Sequence, residues 1–202
     1  GLDFTAGDGV SLAGVIAATA FVASGMNNVV TIIVGCLIGA MMGACNSLLI
    51  VKLRIQPFIA TLSVMTIIKG FLLAVSEGTI IHMDVEGATF TEIGQGVVQF
   101  PGAGENVGLP ICFLIFVGVA VVVWFILNRT KFGQATMAMG GNEEAAMLAG
   151  VRVDYFRFWV YTFAGLLTGL GAVITLSKVA QVGISLGGTT LLMDVVAAAV
   201  IG

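Results

Sequence analysis

Residues that could carry out acid–base, nucleophilic or metal chemistry are few in this sequence. His82 is the single histidine among 202 residues, so neither a Ser-His-Asp nor a Cys-His constellation is available. Cys36, Cys45 and Cys112 fall in apolar runs without CxxC spacing, which favours buried, inert thiols. No Gly-x-x-x-x-Gly-Lys-Ser/Thr motif is present to cradle ATP phosphates. We therefore expect a protein that is not an enzyme and uses no metal or cofactor, with any ATP hydrolysed by a partner subunit.

The charged residues are concentrated in residues 128–157, which hold seven of the nineteen Lys, Arg, Asp and Glu residues. The centre of this stretch reads Gly140, Gly141, Asn142, Glu143, Glu144, Ala145, Ala146, Met147, Leu148, Ala149, Gly150. Asn142 is a good N-cap, glutamates suit a first turn, and Gly150 suits the position after a helix end. The pattern predicts a helix over residues 143–149, roughly 10 Å long. So short a helix is marginal alone, so we expect it to pack against something and leave one side for a partner.

The composition is that of a membrane protein. Hydrophobic residues make up 58% of the chain and charged residues 9%, with a mean hydropathy of +1.11, whereas soluble domains carry about 25% charged residues. The net charge of −3 and the absence of a basic cluster argue against a nucleic-acid partner. We expect an all-α, polytopic transmembrane helical bundle, a single domain over residues 1–202 in contact with the lipid bilayer. It should contain about five to six spans or partial spans, with further helices missing at both ends.

Six apolar runs could form these spans. They cover residues 10–24, 29–51, 58–75, 111–127, 158–176 and 189–202. The first run has only fifteen residues, so it is either a span extended by flanking residues or a half-helix. Residues 1–9 before it contain three glycines and two aspartates. They suit either a broken backbone at membrane depth or an ordinary interfacial loop.

Glycines recur at one-turn spacing in two of these runs. Gly35, Gly39 and Gly43 share one helical face of the second run, and Gly165 and Gly169 repeat the spacing in the fifth. Small residues on one face let another helix approach closely. We interpret both sets as helix-packing surfaces.

Several polar residues stand inside the apolar runs, where a polar group is costly and therefore a functional candidate. Asn46 could form a hydrogen bond across helices or face a translocation path, and Asp194 could lie within the membrane or near the headgroups. Lys69 could reach the surface by snorkelling, which we favour, or face a pore. The hydroxyls of Thr61 and Thr66 can be satisfied by carbonyls of their own helix.

The distribution of Lys and Arg predicts the orientation. Lys52 and Arg54 mark one loop and four basic residues mark the 128–157 loop, whereas residues 76–109 contain none. Two predicted spans separate the two basic loops, so both lie on the same side. The positive-inside rule makes that side cytoplasmic, and residues 76–109 then form an extracytoplasmic loop.

This long loop carries five acidic residues. We expect a solvated surface segment, with contact to a soluble binding protein as the alternative. Residues 89–92, Thr-Phe-Thr-Glu, could form a capping box for a short helix that Gly94 and Gly96 soon stop.

Four segments resemble one family. Glu144-Ala145-Ala146-x-x-x-Gly150 resembles the EAA loop of ABC-importer permeases, the cytoplasmic coupling helix that docks into the ATPase subunit. With its neighbours, FGQATMAMGGNEEAAMLAGVRV is similar to the sugar branch, the ribose, xylose, galactose and autoinducer-2 type. GLDFTAGDGVSLAG at the start, NSLLIVKLRIQPFIATLSVMTIIKG at 46–70 and MDVVAAAVIG at the end agree. The resemblance covers nearly the whole chain.

The resemblance implies a permease subunit of a bacterial ABC importer for a sugar or sugar-like solute, in the plasma (inner) membrane. Its implied partners are an ABC ATPase subunit or a fused tandem ATPase, a second permease subunit in a homo- or heterodimer, and an extracytoplasmic solute-binding protein. Residues 128–157 would form the cytoplasmic coupling loop, with residues 140–146 and Gly150 coupling to the ATPase. Ala145 and Ala146 would permit close insertion into a groove of that partner.

The translocation path is implied to run near six side chains: Asp3, Asn46, Phe58, Thr61, Thr66 and Asp194. The family usually has an acid where this chain has Leu192. Two alternatives stay open. One is an ABC permease for another solute, a nucleoside or a branched-chain amino acid. The other is an ATP-independent secondary transporter or channel, which should show ionisable residues deep in several spans.

Overall fold

A computed structural model describes residues 3–25, 27–76, 78–82, 90–99, 108–183 and 186–201. Across these ranges the chain is almost entirely helical, so the predicted all-α class is confirmed. The helices are α1 (Ala6–Ala23), α2 (Asn28–Lys52), α3 (Pro57–Ser76), α4 (Phe90–Gln95), α5 (Ile111–Arg129), α6 (Lys131–Gly141), α7 (Glu143–Leu148), α8 (Val153–Val179) and α9 (Gly188–Ile201). Short antiparallel pairs join β1 (Ile81–His82) to β4 (Gln181–Val182) and β2 (Val97–Gln99) to β3 (Gly108–Pro110).

Helices α1, α2, α3, α5 and α8 are each long and apolar enough to cross a membrane. They correspond to five of the predicted runs, although α1 begins at Ala6 and α8 at Val153, earlier than the hydropathy indicated. The sixth run is the 14-residue α9. At 1.5 Å per residue it extends only about 21 Å, less than a hydrocarbon core of about 30 Å.

The centre of the bundle is the contact between α2 and α8, where the two backbones meet through glycine. A Cβ atom on Gly39 would lie 2.6 Å from the nitrogen and 2.7 Å from the Cα of Gly169. A Cβ on Gly165 would lie 2.8 Å from the nitrogen of Gly43, and one on Gly169 would overlap the carbonyl of Gly35. All five glycines predicted to pack therefore lie at one helix–helix contact, and they face each other.

Helix α1 packs against this pair, and α3 packs against α1. Val15 and Phe21 of α1, Leu72 of α3 and Leu176 of α8 are fully buried in one cluster. A separate set of hydroxyls is satisfied within its own helix: Thr61 Oγ1 donates to the Pro57 carbonyl at 3.0 Å, and Thr66 Oγ1 to the Leu62 carbonyl at 3.0 Å. That was the sequence-based expectation for both threonines.

The irregular backbone lies elsewhere than predicted. Residues 6–9 are helical, so the expectation of a broken or looped backbone is wrong there. The interruption instead follows α8, where Ala180 adopts φ +54°, and Val182, Leu186 and Gly187 lie against α1 before α9 begins. Gly187 lies against the Gly7 carbonyl, and its N–H donates to Ser11 Oγ at 2.8 Å. A hydroxyl of α1 thus satisfies an amide that no helix pairs, as buried backbone requires.

Within the 76–109 loop, α4 is packed against the bundle, whereas residues 78–80 and 97–99 are exposed. Phe90 of α4 is fully buried, with its ring centroid 5.1 Å from that of Phe21. Its carbonyl accepts a hydrogen bond from Ser177 Oγ, and Gln95 Nε2 donates to the Lys178 carbonyl at 3.0 Å. The helix ends at Gln95, just before Gly96, while Thr89 of the predicted capping box lies outside the described residues. The default expectation of a solvated loop is therefore wrong for α4, because an aromatic anchor buries it on the ends of α1 and α8.

Helix α5 is the most apolar of the spans and none of its residues is buried within the described chain. It contacts α4 at one end and α6 at the other. It therefore holds the 76–109 segment and the α6–α7 segment at opposite ends of one long helix.

Candidate functional site

Helix α7 forms where the sequence predicted it, and its ends have the expected chemistry. Asn142 is extended at φ −152°, and its Oδ1 accepts the Ala145 N–H at 3.0 Å. The helix runs from Glu143 to Leu148. Gly150 adopts φ +84°, a left-handed conformation that favours glycine. The chain therefore enters and leaves α7 through two sharp turns, between α6 and α8.

The two faces of α7 differ in a way that the sequence did not show. Ala146 is only 4% exposed, whereas Leu148 is 90% exposed and Ala145 and Met147 are also exposed. The expectation that Ala146 inserts into a partner is therefore corrected, because its methyl group is buried within its own chain. The surface that α7 offers to a partner is its other face, ending in Leu148.

A single ion pair ties the start of α7 to α8. Arg157 Nη2 lies 2.5 Å from Glu143 Oε2, and both side chains are partly exposed. Beside this pair is a groove of about 460 Å³, whose other wall is the α2–α3 link, including Arg54 and Gln56. The α2–α3 link and the α7 helix therefore share one end of the bundle. Gly140 and Gly141, also named as coupling residues, end α6 in open space.

A buried polar cluster joins the start of α1 to α2. Asp3 Oδ1 accepts hydrogen bonds from Thr5 N at 2.9 Å and Thr5 Oγ1 at 2.6 Å. Asn46 Nδ2 donates to Thr5 Oγ1 at 2.8 Å and reaches Asp3 Oδ1 at 3.5 Å. Of the two roles left open for Asn46, the structure therefore shows the hydrogen bond between segments.

The same cluster contains polar atoms without partners. Asn46 Oδ1, Ser47 Oγ and the hydroxyl of Tyr161 are buried and have no hydrogen-bond partner within the described residues. Buried polar atoms ordinarily find a partner, from protein or from water. Together these groups can accept and donate hydrogen bonds to a hydroxyl or a water molecule.

Asp3 also lines a groove of about 540 Å³. The groove is bounded by α1, α8 and α9, and is mainly apolar, with Val10, Leu167 and Leu191 among its walls. Thr168 and Thr175 of α8 add hydroxyl groups to one wall. Asp3 therefore belongs both to the polar cluster and to the wall of this mainly apolar groove.

The other residues expected on the path are distributed differently. The Phe58 ring meets that of Phe4 edge to face, with centroids 5.3 Å apart, and so lies beside the cluster. Thr61, on α3, is fully buried. Thr66 and Asp194 are exposed and do not line the groove. Asp3, Asn46 and Phe58 are thus brought to one region, whereas Thr66 and Asp194 are not.

Sequence reasoning missed an ion pair within the spans. Asp8 of α1 is 3% exposed, and its Oδ2 lies 3.6 Å from Nζ of Lys69 on α3. This is an ion-pair distance, although too long for a hydrogen bond, so Oδ2 lacks a hydrogen-bond donor. Lys69 is 45% exposed, but its ammonium group is directed to Asp8. The favoured interpretation of a snorkelling lysine is corrected. The signal was available, since two opposite charges occur in otherwise apolar spans.

Comparison with known proteins identifies the family. The model of the family described as "Branched-chain amino acid transport system / permease component" matches residues 1–202. The chain belongs to this permease family. It is 35% identical over 202 residues to the ribose import permease protein RbsC of Bacillus subtilis, matching all of this chain and 60% of that protein. It is 32% identical over 221 residues to the galactose/methyl galactoside import permease protein MglC of Escherichia coli, matching all of this chain and 62% of that protein.

The family and the five long apolar helices make this chain a multi-pass protein of the bacterial inner membrane. It spans about three fifths of the length of the curated relatives it matches. No solved structure matches it significantly. Within the described ranges, no group of three or more His, Cys, Asp or Glu side chains could hold a metal ion.

Proposed function

We propose that this chain is the membrane-spanning core of a permease subunit of an ATP-driven ABC importer for a sugar or sugar-like solute. The observation that carries the proposal is α7, a capped helix between two spans that presents an apolar face to its surroundings. Leu148 at the tip of that face is 90% exposed. Met147 beside it is 52% exposed, and adjoining apolar side chains left exposed at an end of the bundle outside the spans favour a partner that covers them.

The partner proposed for this face is the ATPase subunit, separate or fused in tandem. The chain itself lacks a P-loop. The 128–157 segment carries four Lys and Arg residues and the 53–56 link adds Arg54, which favours a cytoplasmic location for this end of the bundle. Both segments line the same groove, and a cytoplasmic ATPase would meet them together.

The translocation path is proposed to follow the groove of α1, α8 and α9. Its apolar walls give a hydroxylated solute little to bind, so the solute would pass without being held. Asp3, which lines the groove and is joined to Asn46, offers hydrogen bonds to hydroxyl groups. A second permease subunit, identical or different, would close the open side of the groove. An extracytoplasmic binding protein would deliver solute to the opposite end, where α4 caps α1 and α8.

The proposed solute class follows from relatives whose names state ribose or galactose import. The description of the family itself names branched-chain amino acids, so an amino-acid permease is the second candidate. Uptake of a panel of labelled pentoses, hexoses and branched-chain amino acids into vesicles, with the cognate binding protein, separates the two. Uptake of leucine but of no sugar would replace the first candidate with the second.

The coupling role of α7 is tested with Leu148→Asp in the complete permease coexpressed with its ATPase. The charge should weaken an apolar contact, so we expect the ATPase to be lost from affinity-purified permease and solute uptake to fall. Met137→Asp on α6 is the matched control, since Met137 is also exposed at this end of the bundle but lies outside α7. Full ATPase retention and uptake in Leu148→Asp would rule out docking through this face.

A further inference from the structure

The contact between α7 and α8 continues into the buried polar cluster along one face of α8. Glu143 at the start of α7 pairs with Arg157. Tyr161 follows Arg157 by four residues, which places it one turn further along the same face. Tyr161 is 7% exposed, and its hydroxyl has no hydrogen-bond partner among the described residues. Glu143, Arg157 and Tyr161 therefore form a line of polar side chains that leads from α7 into α8.

The framework around this line is stiff. Gly43 of α2 lies against the backbone of Tyr161, so close that a Cβ on Gly43 would approach the Tyr161 carbonyl carbon to 2.9 Å. Asn46 follows Gly43 on α2 and donates to Thr5 Oγ1. A displacement of α8 at Tyr161 would therefore also move Asn46 and Thr5, which form hydrogen bonds around Asp3.

By contrast, α7 is attached lightly. Ala146 is its one buried residue, and the Arg157 pair is its one ion pair within the described residues. The Val151 N–H donates to the Ala146 carbonyl at 3.0 Å and closes the turn after the helix. Because so few contacts hold α7, the Glu143–Arg157 pair is the polar contact that links its position to the face of α8.

We propose that Arg157 is a positioning residue that transmits displacement of α7 through Tyr161 to the Asp3–Asn46 cluster. The proposal rests on the coupling function proposed for α7 and assigns its route. Partner movement of α7 shifts the guanidinium that Glu143 holds. That shift moves α8 at Tyr161, whose backbone packs on Gly43 of α2, and displaces the buried Tyr161 hydroxyl, which is free to bond a water molecule. The opening of the cluster toward the groove then follows the state of the ATPase.

The test uses the complete permease with its ATPase in vesicles, measuring solute imported per ATP hydrolysed. Arg157→Gln should retain the ATPase and its hydrolysis, yet lower imported solute per ATP by about fivefold, the order expected for loss of a half-exposed ion pair. Exchanging the pair, Glu143→Arg with Arg157→Glu, should restore most of the ratio. Arg152→Gln is the matched control, since Arg152 contacts the Tyr155 ring 5.4 Å away and forms no ion pair in the described chain. It should leave the ratio unchanged.

Tyr161→Phe tests the second step and removes only an unpaired hydroxyl, so the fold should persist. It should lower the ratio as Arg157→Gln does, with no further loss when the two are combined. An unchanged ratio in Arg157→Gln or in Tyr161→Phe would overturn the proposal. Loss of the ATPase from Arg157→Gln would also overturn it, since the residue would then serve docking. Either result leaves the coupling function standing if Leu148→Asp still releases the ATPase.

Discussion

The glycine contact between α2 and α8 makes the sharpest prediction about the framework. Gly39 faces Gly169 with no room for a side chain, since a Cβ atom would stand 2.6 Å from a backbone nitrogen and 2.7 Å from a Cα. Real Cβ atoms essentially never approach so closely. The obstructing atoms belong to the backbone of α8, so they cannot move aside as a side-chain end could. Gly39→Ala must therefore push the two helices apart.

The size of the effect follows from the distances. An ordinary contact of about 3.5–4.0 Å requires a local separation of roughly 1 Å. A radial gap of 0.5–1 Å forfeits about a quarter to a half of each dispersion contact along the interface. Forced overpacking of this kind costs about 1–3 kcal/mol, and Gly39→Leu should cost more. At about 2–4 °C per kcal/mol for a chain of this length, the apparent Tm of Gly39→Ala should fall by about 2–12 °C.

The measurement is the apparent Tm of detergent-purified permease, followed by the loss of the monodisperse peak in size-exclusion chromatography after heating. Gly118→Ala on α5 is the matched control, because a Cβ there meets nothing within 4 Å. Its Tm should stay within the error of the wild type. An unchanged Tm in Gly39→Leu would refute the packing argument. Normal assembly with a changed solute preference would show that the glycine face lines the path instead.

Three further results are expected. On a cysteine-free background, Glu92→Cys should react with an impermeant thiol reagent from outside the cell, and reaction only from the cytoplasm would reverse the proposed orientation. Lys69→Met should destabilise by about 1–3 kcal/mol, less than a fully buried pair because Lys69 is 45% exposed, and adding Asp8→Asn should recover most of it. No recovery would mean that the charges act separately. Gly150→Val should strain the left-handed turn by about 1–2 kcal/mol and weaken ATPase retention, whereas Gly118→Ala on α5 should not. Equal retention in both would exclude a role for that turn.

Much of the fold could be read from local patterns. Hydropathy located the runs that became α2, α3 and α5, because a membrane span is defined by length and polarity alone. The cap at Asn142 and the turn at Gly150 were visible, because each depends on a few neighbouring residues. The prediction was wrong at residues 6–9, which are helical. Gly7 and Gly9 lie there, and whether a glycine breaks a helix or packs inside one depends on the neighbour that approaches it.

The candidate site was predicted only in part, for the same reason. Asn46 stood out as a polar residue in an apolar run, but its partner Thr5 is 41 positions away. In the sequence, Ala146 could not be distinguished from the other small residue of α7, Ala145. Only the packing of α7 against the rest of the chain shows that Ala146 is the buried one. Tyr161 stands near the start of the apolar run 158–176. Because α8 begins at Val153, Tyr161 lies two turns inside the helix and is buried.

The sequence alone determined that this chain is a polytopic helical membrane protein, which faces of α2 and α8 are small, and that a capped helix joins two spans. Those features depend on composition and on spacing within one helix. Tertiary structure decided that Gly39 meets Gly169, that Asp8 meets Lys69, and that Glu143 pairs with Arg157. Helical periodicity fixes which residues share a face. The depth and rotation of each helix are set only when close-packed backbones and buried charges find their partners.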